Sequence, residues 1–310
     1  MDRRFCRSSG RQEVIDNQHM LSDFDRITMH GKRATGVVGK IGGHNLIVRA
    51  KLVVAACGSI HTPALLSRSG LSSRSGQLGK NLGLHPNVKV VAIFDEDVTG
   101  WQGVHQAFQV REFIEQGLGC FAAVNIPPSL VAMSVPHRGR QLGALMQQYN
   151  HMVIAGLLVE DTTSGVVKTI NGRPQAFYQV ADRDIVSMQQ GLTLLSELLF
   201  AAGAKTVILP FHHAKEAHGP DETRRFLAEP IPASSWEVVT VHMMGTARMG
   251  ADRTRSVTDS FGFMHDVDRL LISDASVFPT PCRVNPQETI MALATRSAGY
   301  VFDNARRFLS

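Results

Sequence analysis

The apolar run KLVVAA (residues 51–56) leads directly into CGSIHTPALLSRSG (57–70), and this junction restricts the folds open to the chain. A strand that is apolar at nearly every position, rather than at alternate ones, fits a sheet covered on both faces, as in α/β proteins. Gly58 can make a tight turn after it, Thr62 can cap a helix, Pro63 suits a first helical turn and Gly70 can end that helix. The expectation is strand, glycine turn and short helix.

The segment before the junction, RITMHGKRATGVVGKIGGHNLIVRAKLVVAA (26–56), reads as a small β-meander with Gly-containing turns, its last strand being residues 51–56. From about residue 88 to 236 the texture changes. Strand-like VKVVAIF and HMVIAGLLVE alternate with Gly- and Pro-rich loops, and VEDTTSG reads as a hairpin turn between strands. Met188, Leu192, Leu195, Leu199 and Ala202 mark a helix that Gly203 ends, after which KTVILP returns to strand. From about residue 237 short strands and glycines resume. These changes divide the chain into a first part (1–88), an inserted antiparallel-sheet domain (89–236) and a C-terminal part (237–310) that rejoins the first. The fold class is α/β, α+β overall.

Two places carry chemistry. The strand RLLIS (269–273) delivers Asp274 at its C-terminal end, the edge where open α/β sheets bind ligands. Asn285, Pro286 and Glu288 then spell an N-cap, a first-turn proline and a capping-box-like acid, with Ile290, Leu293, Ala294, Ser297 and Val301 on one helical face. A helix N-terminus beside an acid-bearing strand end is a place for an anion. The second place is VHMMGTARMG (241–250), where His242 has a side chain able to exchange protons near neutral pH. His212, His213 and His218 in HHAKEAH lack the pairing and the third ligand of a metal site, so this run reads as a solvated loop and no metal is expected.

Composition excludes several classes. The 32 basic and 27 acidic residues are mixed along the chain, giving +5 without a basic block, so no nucleic-acid partner is expected. The four cysteines make no CxxC pair. No apolar run is long enough to span a bilayer, and MDRRFCRSSGRQEV lacks the apolar segment of a secretory signal, so the expectation is a cytoplasmic chain without a transmembrane segment.

Taken in order, GSIHTPALLSRSGL (58–71), GKNLGLHP (79–86), HMMGTARMG (242–250) and DASVFPTPCRVNPQETIMALATRSA (274–298) resemble the glucose-methanol-choline (GMC) flavin oxidoreductases, over roughly residues 15–310. The resemblance implies a partial FAD-binding, Rossmann-like domain with an inserted substrate domain, and oxidation of a small-molecule alcohol, in general feel a long-chain or bulky one. His242 takes the family's catalytic-base position, removing the hydroxyl proton while hydride leaves to the flavin. Asn285 takes the second catalytic position, where an amide can only orient the substrate oxygen. Gly58, Ser59, Asp274, Ala275, Pro286 and Thr289 fall on cofactor-contacting positions, and Phe24, more loosely, on an apolar position near the adenine. No motif identifies the electron acceptor. The family's opening Gly-x-Gly-x-x-Gly turn, which holds the ADP half of FAD, is absent, since GVVGKIGG (36–43) has the wrong spacing. The alternative expectation is therefore a non-catalytic piece of such an enzyme that cannot hold FAD alone.

Overall fold

The computed structural model describes residues 22–309 apart from 105 and 214. The first part opens with a meander of three antiparallel strands, β1 (Ser22–His30), β2 (Arg33–Ile41) and β3 (His44–Arg49). Gly42 and Gly43 join β2 to β3 with φ of 53° and 84°, the paired left-handed conformation that a tight two-residue hairpin needs.

The strand expected over 51–56 is shorter and paired elsewhere: β4 (Val53–Ala55) leaves the meander and lies parallel to β15 (Leu270–Ile272), with Val53 opposite Leu270. Val53 and Ala55 are buried, whereas Val54 is 52% exposed, so β4 is covered on one face only. The helix α1 (Gly58–Arg68) starts earlier than expected, placing Thr62 and Pro63 inside it. Its first turn is held from a distance: Asp274, just past β15, accepts the Gly58 N–H at 2.9 Å and the Thr62 hydroxyl at 2.5 Å. Local sequence cannot reveal a cap supplied from more than two hundred residues away. The helix does end at Gly70, where the Leu71 N–H bonds the Leu66 carbonyl and the Gly70 N–H that of Ser67, with Gly70 at φ 71°.

The sheet of the inserted part runs slightly past both expected boundaries, being built on β6 (Asn87–Ile93), β7 (Gln109–Val110), β8 (Cys120–Ala123), β9 (Met152–Leu158), β12 (Thr206–Ile208), β13 (Glu216–Ala217) and β14 (Val238–Val239). They form one antiparallel sheet in the order β13-β12-β6-β9-β8-β7, with β14 also beside β6. On one face lies α4 (Asp182–Ala201), burying Met188, Leu192, Leu195 and Leu199 against Val88, Val90 and Leu157. Burial of each such side chain contributes roughly 1.5–3 kcal/mol. Gly191 lets α4 approach, since a Cβ there would lie 2.6 Å from the Leu118 carbonyl oxygen. On the other face α2 (Pro128–Ser134) and α3 (Gly139–Met146) contribute Val131 and Leu145 to a smaller cluster with Val91, Met152 and Ile154. The helix α5 (Pro220–Phe226) packs against α4.

VEDTTSG is not a hairpin. The strand that follows it, β10 (Gly165–Ile170), pairs with β11 (Arg173–Phe177) and β5 (Lys80–Leu82) in a separate sheet, and Asp161 is buried between the two. The C-terminal part returns to the first: Met244, Leu270, Ile272 and Phe278 share a core with Ile27, Val53 and Leu66. The chain ends in α6 (Gln287–Asp303) and α7 (Ala305–Leu309). The five α6 positions expected on one face include the buried Ser297 and the half-buried Ile290, Leu293, Ala294 and Val301. Among the described residues no helix is long and apolar enough to cross a membrane.

Candidate active site

The loop that carries His242 is fixed by its neighbours. Met244 and Gly83 exchange two backbone hydrogen bonds of 3.0 Å, and the N–H groups of Gly245 and Ala247 reach the carbonyls of Ala275 and Ser276. Gly245 has φ 89°, and a Cβ there would sit 2.4 Å from the Asn81 carbonyl oxygen, so this position takes glycine. The loop is also stapled to α1. The Ser59 hydroxyl donates to the Met243 carbonyl at 2.9 Å, and the Thr246 hydroxyl donates to the Ser59 carbonyl at 2.7 Å. That carbonyl lies four residues before Pro63, which has no N–H to offer it. The hydroxyl of Thr246 replaces the missing helical donor.

His242 itself is half-buried, its N–H donating to the Thr240 hydroxyl at 3.1 Å. One ring nitrogen, Nε2, lies 3.4 Å from Asn285 Nδ2; the other, Nδ1, lies 3.1 Å from Nδ1 of His85, whose ring meets it edge to edge, tilted by 29° with centroids 5.1 Å apart. Gln109 Nε2 donates to Asn285 Oδ1 at 3.2 Å. Asn285 is thus a side chain in the site and not a helix cap. Pro286 occupies the N-cap position, where its side chain has no acceptor to offer, and the Asn285 side chain is engaged with His242 and Gln109. The first intrahelical bond of α6 runs from the Ile290 N–H to the Pro286 carbonyl at 2.9 Å, leaving the amides of Gln287, Glu288 and Thr289 ahead of it.

The large sheet supplies the opposite wall. Lys89 pairs with Gly156, Gly156 with Ala122, and Ala122 with Gln109, forming one row across β6, β9, β8 and β7. Directly paired residues share a face, so a cation and an amide flank two very small residues. Lys89 is half-buried and has no hydrogen bond or ion pair among the described residues. Burial holds its ammonium below the usual lysine range, and burial followed by the Lys89 charge holds His242 below the ordinary histidine value, favouring a neutral imidazole. At the Met152–Ile154 end of β9 lies a cavity of about 230 Å³ lined also by Val98, Val104, Phe108 and Val124.

The expected site residues fall into two groups. Asn285, Pro286 and Thr289 surround the start of α6 beside His242, with Pro286 buried and Thr289 exposed. Gly58, Ser59, Asp274 and Ala275 meet where β15 faces α1. Asp274 is already engaged there, Oδ2 by Gly58 and Thr62 and Oδ1 by the Ser276 N–H at 2.8 Å; the Ser59 hydroxyl, 3% exposed as a residue, is committed to the Met243 carbonyl. Phe24 is 41% exposed on β1. His212 pairs with Glu237 at 3.1 Å and His218 lies 3.2 Å from the Thr206 hydroxyl.

Sequence reasoning missed Lys89, Gln109, His85 and Asp161. Lys89 left a trace, a charge inside the apolar run VKVVAIF, and His85 stands in the quoted GKNLGLHP without a role. Gln109 left none. Asp161, expected in a hairpin turn, is 7% exposed and accepts the N–H groups of Leu84 and His85 and the Tyr178 hydroxyl at 2.6, 2.5 and 2.8 Å.

Profiles of the GMC oxidoreductases match residues 12–87 for their N-terminal part and 166–294 for their C-terminal part. An uncharacterised GMC-type oxidoreductase of Sinorhizobium fredii is 34% identical over 91% of this chain and 56% of its own length. A long-chain-alcohol oxidase of Arabidopsis thaliana is 28% identical over 85% of this chain and 38% of its own. The chain spans about half the length, or less, of these relatives. Among solved structures, a formate oxidase of Aspergillus oryzae superposes with a TM-score of 0.66 at 16% identity, covering 92% of this chain and 60% of that one. Pyridoxine 4-oxidase from Mesorbium loti gives 0.60 at 18% identity, covering 90% and 57%. The ordered motifs, the two profile matches and the shared fold have one explanation: the chain belongs to the GMC oxidoreductase family.

Proposed function

We propose that the chain carries the acid–base and substrate side of an FAD-dependent site that oxidises an alcohol, with His242 as general base. The observation that carries this reading is the pairing of His242 Nε2 with the Asn285 amide at the N-terminus of α6, opposite the Lys89–Gln109 row. A neutral Nε2 takes the hydroxyl proton of the alcohol, and Asn285 and Gln109 hold its oxygen within reach. Burial and Lys89 keep the imidazole neutral near physiological pH. The cavity lined by Val98, Val104, Phe108, Met152 and Ile154 suits the apolar part of a bulky or long-chain alcohol, in keeping with the long-chain-alcohol oxidases among the relatives. On this reading residues 89–236 bind substrate while 1–88 and 237–310 face the cofactor.

The residues fit the ring end of FAD. The amides ahead of Ile290 and the α6 dipole suit the negative charge of a reduced ring, and no atom lies within 4 Å of where a Cβ on Gly58 would stand, leaving room for close approach. Pro286 and Thr289 would hold the ring side and Gly58 and Ala275 the ribityl side, while Ser59 and Asp274 shape that wall through the bonds they already make. When bound, FAD supplies the acceptor for the hydride that leaves the alcohol carbon.

The test is to add FAD to the chain, isolate the yellow complex and follow bleaching of the flavin by long-chain and short alcohols without oxygen. His242→Ala is expected to keep the flavin and slow bleaching about 10²–10⁴-fold; bleaching at the parent rate overturns the assignment. The second reading, a folded piece that holds no FAD by itself, rests on the absence of a Gly-x-Gly-x-x-Gly turn from these 310 residues. A well-folded chain that stays colourless with added FAD supports it.

A further inference from the structure

His85 is fully buried, yet two of its features have no part in the proton transfer to His242. Its Nδ1 lies 3.1 Å from His242 Nδ1, and its Nε2 has no hydrogen-bond partner among the described residues. Two neutral imidazoles that meet nitrogen to nitrogen share one hydrogen, so one ring donates and the other accepts. The choice fixes the tautomer of both. If His85 donates, His242 carries its hydrogen on Nε2 and has no lone pair there for a substrate proton. If His242 donates, its Nε2 is bare.

The polar chain beyond His242 selects the second arrangement. Gln109 Nε2 donates to Asn285 Oδ1, which turns Asn285 Nδ2 toward His242 Nε2 at 3.4 Å. An amide N–H facing Nε2 meets a lone pair, so the hydrogen of His242 resides on Nδ1 and His85 Nδ1 accepts it. We propose that His85 is a positioning residue for His242, its Nδ1 lone pair holding the His242 Nδ1–H so that Nε2 stays bare toward Asn285 and the alcohol; this rests on reading His242 as the base.

The surroundings of His85 are built for that task. Its backbone sits in the left-handed region, φ 51°, a strained conformation for a non-glycine residue, and is held there by Asp161, which accepts the N–H groups of Leu84 and His85. Tyr178 donates to the same carboxylate, fixing it in turn. Burial, followed by the neighbouring His242, pushes His85 down to about 4, so it remains neutral and keeps an acceptor. When His242 Nε2 takes the alcohol proton, the resulting imidazolium keeps its Nδ1–H on His85 and no second proton moves. The bond costs His85 an unpartnered Nε2–H in the core. A buried unpaired donor of this kind is costly and uncommon, and a functional contact on the other side of the ring accounts for its retention.

The experiment reads the ring nitrogens directly. In the full chain labelled with ¹⁵N-histidine, long-range ¹H–¹⁵N spectra separate protonated from bare ring nitrogens, and the His242 signals are those lost in His242→Gln. The expected parent spectrum has His242 protonated on Nδ1 and bare on Nε2. His85→Phe keeps an aromatic ring and removes the acceptor, leaving Asn285 alone to hold the His242 hydrogen on Nδ1, so the balance should shift toward the Nε2–H tautomer. His85→Asn tolerates the left-handed backbone and offers Oδ1 in place of Nδ1, so it should restore the parent pattern. In FAD-loaded protein the Phe variant should lose kcat about 10²-fold with KM little changed, and the Asn variant should recover most of it; a wrong-tautomer histidine in another enzyme class costs about 10⁴. A parent His242 protonated on Nε2, or a tautomer unmoved by His85→Phe, overturns the proposal. The spectra do not depend on turnover: a His242→Ala chain that still oxidises alcohol overturns the base assignment alone and leaves the tautomer result to be read on its own.

Discussion

Thr246→Val removes one hydroxyl and changes little else in shape, which makes it a sharp probe of how α1 holds the loop that carries His242. Thr246 is fully buried and donates to the Ser59 carbonyl, whose helical partner is absent because position 63 is proline. Leaving that buried carbonyl unpaired costs about 1–3 kcal/mol. Pro63→Ala puts an N–H back four residues after Ser59, in place to bond the same carbonyl, at a loss of about 0.4–1 kcal/mol from a more flexible unfolded chain. In the Pro63→Ala background Thr246→Val should therefore cost less, with a coupling of about 1–2 kcal/mol in the double-mutant cycle. Both tryptophans lie outside this region: Trp236 is in the core of the large sheet and Trp101 precedes β7, so their fluorescence reports the wrong part of the molecule. Hydrogen exchange of the α1 amides is the suitable assay, and a difference of about 2 kcal/mol appears there as a roughly 30-fold faster opening. Equal cost of Thr246→Val in the parent and Pro63→Ala backgrounds would refute the substitution of a hydroxyl for the helical donor.

Three further outcomes follow from the site. Gly245→Ala places a Cβ 2.4 Å from the Asn81 carbonyl oxygen at φ 89°, so it should destabilise by more than about 1 kcal/mol and displace His242, seen as a lower urea midpoint together with lost turnover. Lys89→Met removes a like charge, so the His242 pKa should rise toward the ordinary value and the acid limb of the kcat/KM profile should move to higher pH; an unmoved limb, or one moved lower, contradicts the charge effect. His85 is neutral when folded down to about 4, whereas the unfolded chain protonates it near 6.5. Because the unfolded state binds the extra proton, stability falls as pH drops across that window, by on the order of 3 kcal/mol from this group, and His85→Asn should flatten the slope in urea melts taken from pH 7 to pH 4.

By itself the sequence determined much of the local structure. The α4 pattern at Met188, Leu192, Leu195 and Leu199, the Gly70 helix stop, the five-residue face of α6 and the arrival of Asp274 at a strand end depend on nearest neighbours along the chain, and each is present in the structure. His242 and Asn285 were legible because the family writes them into contiguous motifs, and the structure brings their side chains together. Other features required the fold. Thr62 looks like a cap and Asn285 like an N-cap until Asp274 and His242 arrive from distant segments and claim them. The row Lys89, Gly156, Ala122 and Gln109 exists only through the register of four strands. His85 and Asp161 acquire their parts because folding buries them beside groups 157 and 76 residues away. Periodicity and turn chemistry act over a few residues and can be read along a line. The tautomer, charge and reach of a catalytic side chain are set by whatever tertiary packing places within about 3 Å, the span of a hydrogen bond.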